Sequence, residues 1–283
     1  MTVITRFAPS PTGPLHLGHA YSALLAWDMA QAAGGEFLLR IEDIDQSRSR
    51  PEWERQISDD LHWLGLRWPE PVMRQSTRLA RYARALDHLS ALGLTYPCRC
   101  RRADIEAAAG APQEGVPQFG PDGRIYPGTC RNRPMAEAGP EDVIRLDMAK
   151  ATAGLGRHGF TETGPLHAGP HRLDPEQLIR TVGDIILVRR QMGSSYHLSV
   201  VVDDADQGIT HVTRGADLFE ATQIHVLLQA LLGLPTPIYH HHRLIRDAQG
   251  KRLAKRDDAR AIARYRDEGA TPDDIRALVG LAG

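Results

Sequence analysis

Arg6-Phe7-Ala8-Pro9-Ser10-Pro11-Thr12-Gly13-Pro14-Leu15-His16-Leu17-Gly18-His19 is the stretch on which the fold turns. Val3 to Phe7 is an apolar run and reads as a short strand. A turn rich in Pro, Ser, Thr and Gly follows, and from Leu17 to Ala33 apolar residues recur at helical spacing. Strand, tight loop, helix is the geometry in which amides at a helix N-terminus meet a ligand's phosphates. His16 and His19 fall three apart where the helix opens, so both can face one ligand. Taken by itself, His-x-x-His is equally a helix start with two solvated or zinc-binding histidines. The full pattern Pro-x-Gly-x-x-His-x-Gly-His is what favours a nucleotide site.

Outward from this stretch, Gly34-Gly35 stops the helix and Glu36 to Ile41 reads as a buried strand, which completes a βαβ unit. Ligands of such units lie beyond the strands' carboxyl ends, where Arg6 and Glu42 fall. Pro51 opens a helix over Glu52 to Leu64, Leu66-Arg67-Trp68-Pro69 is a loop or short strand, and Thr77 to Leu92 is an amphipathic helix. Arg78, Arg81 and Arg84 read as a solvated face of that helix. Val143 to Met148 and Ile185 to Val188 read as strands, Leu178-Ile179 as a short helix or strand, and Gly154 to Pro170 as an exposed loop. Tyr196 to Asp204 reads as an apolar strand ending in two acids. A strand-like segment with an Arg214-Gly215 turn and a helix over Leu218 to Leu232 follow. His240-His241-His242 reads as a strand end and surface, because neighbours on a strand point to opposite faces and cannot easily share one ion. Two short helices, Ala259 to Asp267 and Pro272 to Val279, close the chain.

With 283 residues there is enough chain for a sizeable core and two domains. Lys plus Arg is 34 and Asp plus Glu is 35, a formal charge of −1, so any RNA contact must use a local patch. No N-terminal targeting pattern and no apolar stretch of membrane-spanning length is evident, which makes a cytoplasmic enzyme with no membrane contact the expectation; it is expected to act as a monomer. The three cysteines, Cys98, Cys100 and Cys130, are odd in number and clustered, which argues against a disulfide framework. A Cys-x-Cys pair with a third Cys about 30 residues on suits one structural zinc, which wants four ligands in tetrahedral array. The fourth ligand is open: His88 lies outside the tract, and Asp104 and Glu106 offer oxygens. Three reduced structural thiols are the alternative.

The Arg6–His19 stretch resembles the signature of the class I aminoacyl-tRNA synthetases in its glutamyl form. That resemblance implies an α/β fold: a Rossmann-like parallel-sheet nucleotide-binding domain with an inserted zinc-bearing module and a short helical C-terminal segment. It divides the chain into a first catalytic half at 1–94, the zinc-containing module at 95–182, a second catalytic half at 183–245, and a lysine loop with C-terminal helices at 246–283. It also implies that His16 and His19 hold ATP and stabilise charge on the α-phosphate; the phosphate charge makes Mg²⁺ the expected companion of ATP. Such a reaction needs positioning and charge stabilisation above all.

Arg40 to Arg48 resembles the second signature of that family, in which Glu42 would hold the substrate ammonium, while Asp43 and Asp45 read as a surface salt-bridge loop. The resemblance places Arg6, Ala8, Ser10, Tyr196 and Arg214 in the amino-acid pocket. Glutamate carries two carboxylates and one ammonium. Arg6, Arg214, Glu42 and Tyr196 supply two cations, one anion and a hydroxyl, and arginine can bind carboxylate bidentately. Singly, Tyr196 is equally a core aromatic and Arg214 a helix-flanking surface charge. Gly250 to Arg256 resembles the mobile lysine loop, with Lys255 on the ATP phosphates and Ala254 where a serine is usual; alone it would read as a basic surface loop.

The pattern Cys-x-Cys…Tyr-x-x-x-Cys resembles the glutamyl-queuosine tRNA(Asp) synthetases, and on that resemblance Tyr126 becomes the fourth zinc ligand. The sequence ends soon after the lysine loop, where a glutamyl-tRNA synthetase would continue into an anticodon-reading region. The expected activity is therefore tRNA-independent activation of L-glutamate with ATP, then transfer to the queuosine base in the anticodon loop of tRNA(Asp). The alternatives are a compact glutamyl-tRNA synthetase charging tRNA(Glu), a small-molecule adenylyltransferase, and a non-catalytic binding paralogue. Intact His16, His19 and Lys255 argue against the last.

Overall fold

A computed structural model describes residues 2–109, 117–246 and 260–281. Its strands are β1 (Ile4–Phe7), β2 (Glu36–Ile41), β3 (Met73–Arg74), β4 (Thr95–Cys98), β5 (Phe119–Gly120), β6 (Gly123–Arg124), β7 (Val143–Leu146), β8 (Gly159–Glu162), β9 (Gly169–Arg172), β10 (Ile186–Val188), β11 (His211–Gly215) and β12 (Ile238–His242). The helices are α1 (Leu17–Ala32), α2 (Pro51–Trp63), α3 (Leu79–Ala91), α4 (Arg102–Ala109), α5 (Met148–Thr152), α6 (Pro175–Gln177), α7 (Tyr196–Asp206), α8 (Thr222–Leu232), α9 (Ile262–Asp267) and α10 (Pro272–Val279).

β1 pairs in parallel with β2, and β2 with β3. β11, β12 and β8 form a second parallel group, edged by antiparallel β9. The two groups meet where Thr210 N–H donates to the Ile4 carbonyl and Ile4 N–H to the Thr210 hydroxyl. The result is the expected α/β architecture around a parallel sheet.

Helix α1 packs on this sheet through Leu17, Ala20, Ala23, Leu24, Ala26 and Ala30, all buried. The alanines let it approach closely, and Thr5 donates its hydroxyl to the Ala26 carbonyl. Burying Leu24 alone contributes roughly 1.5–3 kcal/mol. On its other side α1 meets α10, whose Ile275 and Val279 join the same core. Pro51 starts α2 and glutamates fill its first turn, which suits the helix dipole. A separate antiparallel sheet, β10-β7-β4, carries the cysteine region. A second core gathers α3, α5, α7, α8 and β10.

The structure corrects five local expectations. Tyr196–Asp206 is a helix, not a strand. Ser195 caps it by accepting from Leu198 N–H, and the helix is buried on nearly every side, so its run of valines carries no helical periodicity to read. The Gly154 to Pro170 loop contains β8 and the start of β9. Gly159 and Gly164 are there because a Cβ would fall about 2 Å from the His171 and His241 carbonyl oxygens. His241 and His242 are buried rather than superficial. Arg78 and Arg81 are not merely solvated: Arg78 bonds Asp203 and Asp206, and Arg81 bonds Asp206. Asp43 is likewise buried and accepts from both the Ser76 amide and its hydroxyl, whereas Asp45 does pair with Arg48 at the surface.

Among the described residues no helix is long and apolar enough to cross a membrane.

Candidate active site

The carboxyl ends of β1, β2, β11 and β12 and the start of α1 enclose a cavity of about 360 Å³. Arg6, Ala8, His16, His19, Glu42, Tyr196 and Arg214 all line it. Residues about 200 positions apart are thus brought together, because β1 and β11 lie side by side. Ser10 is exposed on the loop and is not among the lining residues. Gly250 to Arg256, with Lys255 and Ala254, lies outside the described residues.

His16 is the N-cap of α1. Its Nδ1 accepts from Gly18 N–H at 3.1 Å, while its own backbone N–H donates to His19 Nδ1 at 3.2 Å. The rings stack with centroids 3.8 Å apart. Because each Nδ1 is an acceptor, the N–H that each ring can offer is on Nε2. Two N–H donors at a helix N-terminus suit an anionic ligand. Gly18 leaves room for the stack: a Cβ there would lie 3.0 Å from the His16 ring, close enough that the ring would have to shift.

Behind this entrance lies a charge network that the sequence reading did not anticipate. Arg6 Nε donates to Asp204 at 3.0 Å, and Arg40 bonds both Asp204, at 2.6 Å, and Glu42, at 3.0 Å. Burial pushes the Asp204 carboxyl up, but Arg6 and Arg40 outweigh it and hold the group below the usual range. For Glu42 burial wins over Arg40, and its carboxyl is raised. Asp204 takes this inward place because α7 is a helix; a strand ending at Asp204 would not present it in this way.

Arg214 differs. Its guanidinium donates to His241 Nε2 at 3.1 Å, to His225 Nδ1 at 2.9 Å and to the Thr222 hydroxyl at 2.7 Å. It is 6% exposed and has no carboxylate partner among the described residues. Burial drives His225 well below its ordinary value and His241 down to about 4, with Arg214 adding to both, so both rings are neutral. A permanent cation, desolvated and held by neutral groups at a cavity wall, is a receptor for an anion. His225, His241 and Thr222 carried no separate sequence signal of this role.

Some distance along the chain, Cys98, Cys100 and Cys130 bring their sulfurs within 4.8 Å of one another. The Tyr126 hydroxyl lies 3.3 Å from Cys98 Sγ and 3.4 Å from Cys100 Sγ. It also accepts from Cys130 N–H at 2.8 Å. Burial raises Cys100 to about 11, while hydrogen bonds from Tyr126 and the Arg99 backbone overcome burial and lower Cys130 to about 7. Arg145 lies 3.9 Å over the Tyr126 ring. The cluster is compatible with a metal site: tetrahedral zinc with sulfur at about 2.3 Å spaces its thiolates by roughly 3.8 Å.

The family model for the catalytic domain of class I tRNA synthetases of the glutamate and glutamine type matches residues 2–283. A curated Glutamyl-Q tRNA(Asp) synthetase from Rhodobacter capsulatus is 64% identical over 282 residues, which is 99% of this chain and 100% of that one. The chain belongs to the glutamyl-Q tRNA(Asp) synthetases. A second member, from Symbiobacterium thermophilum, is 43% identical and is covered over 83% of its length. Among solved structures, a glutamate tRNA ligase from Elizabethkingia meningosepticum in complex with its amino acid superposes with a TM-score of 0.75 at 27% identity. The match covers 99% of this chain, which spans 60% of the ligase. A methionyl-tRNA synthetase from Mycobacterium tuberculosis, at 10% identity and a TM-score of 0.58, shares the fold alone. The chain thus has the class I synthetase fold, with its cavity at the carboxyl ends of the parallel strands.

Proposed function

We propose that this protein activates L-glutamate with ATP, in the absence of tRNA, and transfers the glutamyl group to the queuosine base at the wobble position of tRNA(Asp). The observation that carries the reading is Arg214, a buried cation with only neutral partners at the wall of a cavity that also holds Glu42 and the His16–His19 pair. Arg214 takes a carboxylate of glutamate, Arg6 shares in its recognition, and Glu42 takes the ammonium. Tyr196 supplies a hydroxyl, with Ala8 at the cavity wall and Ser10 further along the same loop. His16 and His19 donate to the ATP phosphates, Mg²⁺ accompanies the nucleotide, and Lys255 neutralises pyrophosphate as it leaves.

In the first step a glutamate carboxylate oxygen attacks the α-phosphorus and pyrophosphate departs. In the second a queuosine hydroxyl attacks the carbonyl of the mixed anhydride and AMP departs. Cys98, Cys100, Cys130 and Tyr126 hold one structural zinc, a reading supported by the convergence of three sulfurs and one phenol oxygen. The enzyme acts as a cytoplasmic monomer.

The test is incubation with labelled glutamate, ATP and tRNA(Asp) bearing or lacking queuosine, with the attachment site mapped by nuclease digestion and mass spectrometry. Label on queuosine, together with ATP–pyrophosphate exchange without tRNA, is the expected result. Label on the 3′ adenosine of tRNA(Glu) overturns it. Elemental analysis giving one zinc per chain, lost in Cys98→Ser, checks the metal.

A further inference from the structure

Arginine cannot accept a hydrogen bond, so every histidine facing Arg214 must present an unprotonated nitrogen to it. That single fact fixes the tautomers of a chain of buried rings. His225 accepts from Arg214 at Nδ1 and is therefore protonated at Nε2, which lies 3.0 Å from His197 Nδ1. His197 must then accept there and carry its proton on Nε2, which lies 3.1 Å from an Asp122 oxygen. On the other side His241 accepts at Nε2, carries its proton on Nδ1, and donates to Glu162. Both relays run outward from one cation and both end in a carboxylate.

The histidines and Glu162 are all 5% exposed or less, whereas the Asp122 side chain is 23% exposed. Glu162 is fixed further by the His241 and Gly164 amides. His225 also meets the edge of the Tyr196 ring, with centroids 5.5 Å apart. Asp122 lies at the turn of the β5–β6 hairpin, and that hairpin leads directly into Tyr126 and Cys130. Direct carboxylate partners would have neutralised Arg214. Neutral histidines instead orient it and leave its charge for a ligand.

We propose that Asp122 and Glu162 are positioning residues for Arg214, acting through His197–His225 and His241, and that the β5–β6 hairpin beside the cysteine cluster thereby sets affinity for the amino acid. This rests on the reading of Arg214 as a carboxylate receptor. Asp122 does not line the cavity. What it supplies is an acceptor for the His197 N–H; without it, His197 can turn or change tautomer, and the two rings holding one edge of Arg214 lose their fixed order.

The test is ATP–pyrophosphate exchange by the full chain without tRNA, with KM for glutamate, KM for ATP and kcat measured separately. Asp122→Ala raises KM for glutamate by about tenfold, the equivalent of one lost hydrogen bond, while kcat and KM for ATP stay within about twofold. Asp122→Asn, whose amide oxygen still accepts from His197, restores KM to within about threefold of the parent. Thermal melts accompany each variant; if Asp122→Ala melts early, Asp122→Leu, which also lacks any acceptor for the His197 N–H, is read in its place. Equal kinetics for Asp122→Ala and the parent overturn the relay, as does equal impairment of the Ala and Asn variants. Arg214→Ala separates this from the underlying reading. If it leaves KM for glutamate unchanged, the receptor role itself fails; if it abolishes exchange while Asp122→Ala is silent, the relay alone fails.

Discussion

Two arginine environments border the same cavity and solve the burial of charge in opposite ways. Arg6 and Arg40 are locked to Asp204, and Arg40 also to Glu42, so that cations and anions nearly balance within the protein. Arg214 is as deeply buried as Arg6, yet everything it bonds is neutral. The first arrangement stabilises the walls while presenting Arg6 and Glu42 to the cavity with their charges already shared; the second leaves a charge that only a ligand can balance. Burial of an arginine therefore does not identify a binding residue. The chemistry of its partners does.

The largest expected effect breaks the first environment. Arg40→Ala leaves Asp204 and Glu42 short of a buried cation and lowers stability by about 3–5 kcal/mol, read as a drop in the denaturant midpoint. Arg214→Ala sharpens the contrast. It removes a cation that no carboxylate balances, so stability is barely changed, while kcat/KM for glutamate falls by about 10²–10³ in pyrophosphate exchange. Arg214→Lys does little better, because one ammonium cannot reach His225, His241 and Thr222 together with a carboxylate. A loss of stability in Arg214→Ala comparable to that of Arg40→Ala would erase the distinction.

Glu42 gives the next effect in size. Its carboxyl is raised by burial despite Arg40, so in the free enzyme it takes up a proton above 4.5, the ordinary glutamate value. Only the ionised form attracts the substrate ammonium. As pH falls from neutrality towards that value, kcat/KM for glutamate declines earlier than an ordinary carboxylate would allow. Glu42→Gln lowers kcat/KM throughout and flattens this acid limb. A wild-type profile flat to pH 4.5 contradicts the role.

What was legible in the sequence follows from how local its causes are. β1, α1 and β2 were readable because strand, turn and helix each leave a periodic or capping mark within a few residues. α7 was not, because a helix enclosed on nearly all faces has no polar side to mark the 3.6-residue period. β8 was hidden for another reason: its parallel partner is Tyr239, far along the chain, and its glycines, which serve backbone approach, look like loop. The ligand-facing residues Arg6, Glu42, Tyr196 and Arg214 stood out through family likeness. Asp204, His225 and Glu162 did not, because their roles depend on which groups tertiary packing sets against them.

The smallest effect tests the rule on a charge of opposite sign. Asp60, in α2, is fully buried, neither of its oxygens has a hydrogen bond, and its nearest cation is Arg266 of α9 at 3.5 Å. Burial raises its carboxyl from 3.8 to about 6, with Arg266 only partly opposing. Because the folded value lies above the unfolded one, folding favours the protonated form. The stability this contributes is fully present below 3.8 and is lost as pH rises through about 6. Asp60→Asn, neutral at every pH, should thus be more stable than the parent near neutral pH by about 1 kcal/mol. That advantage should shrink towards zero as both proteins are melted at pH values approaching 4. Asp60 does not line the cavity, so its only partly balanced charge has no ligand to meet and remains a cost. If Asp60→Asn instead loses stability at neutral pH, the Arg266 contact is a genuine ion pair, and an unpartnered buried charge can no longer be read from hydrogen-bond partners alone, at Asp60 or at Arg214.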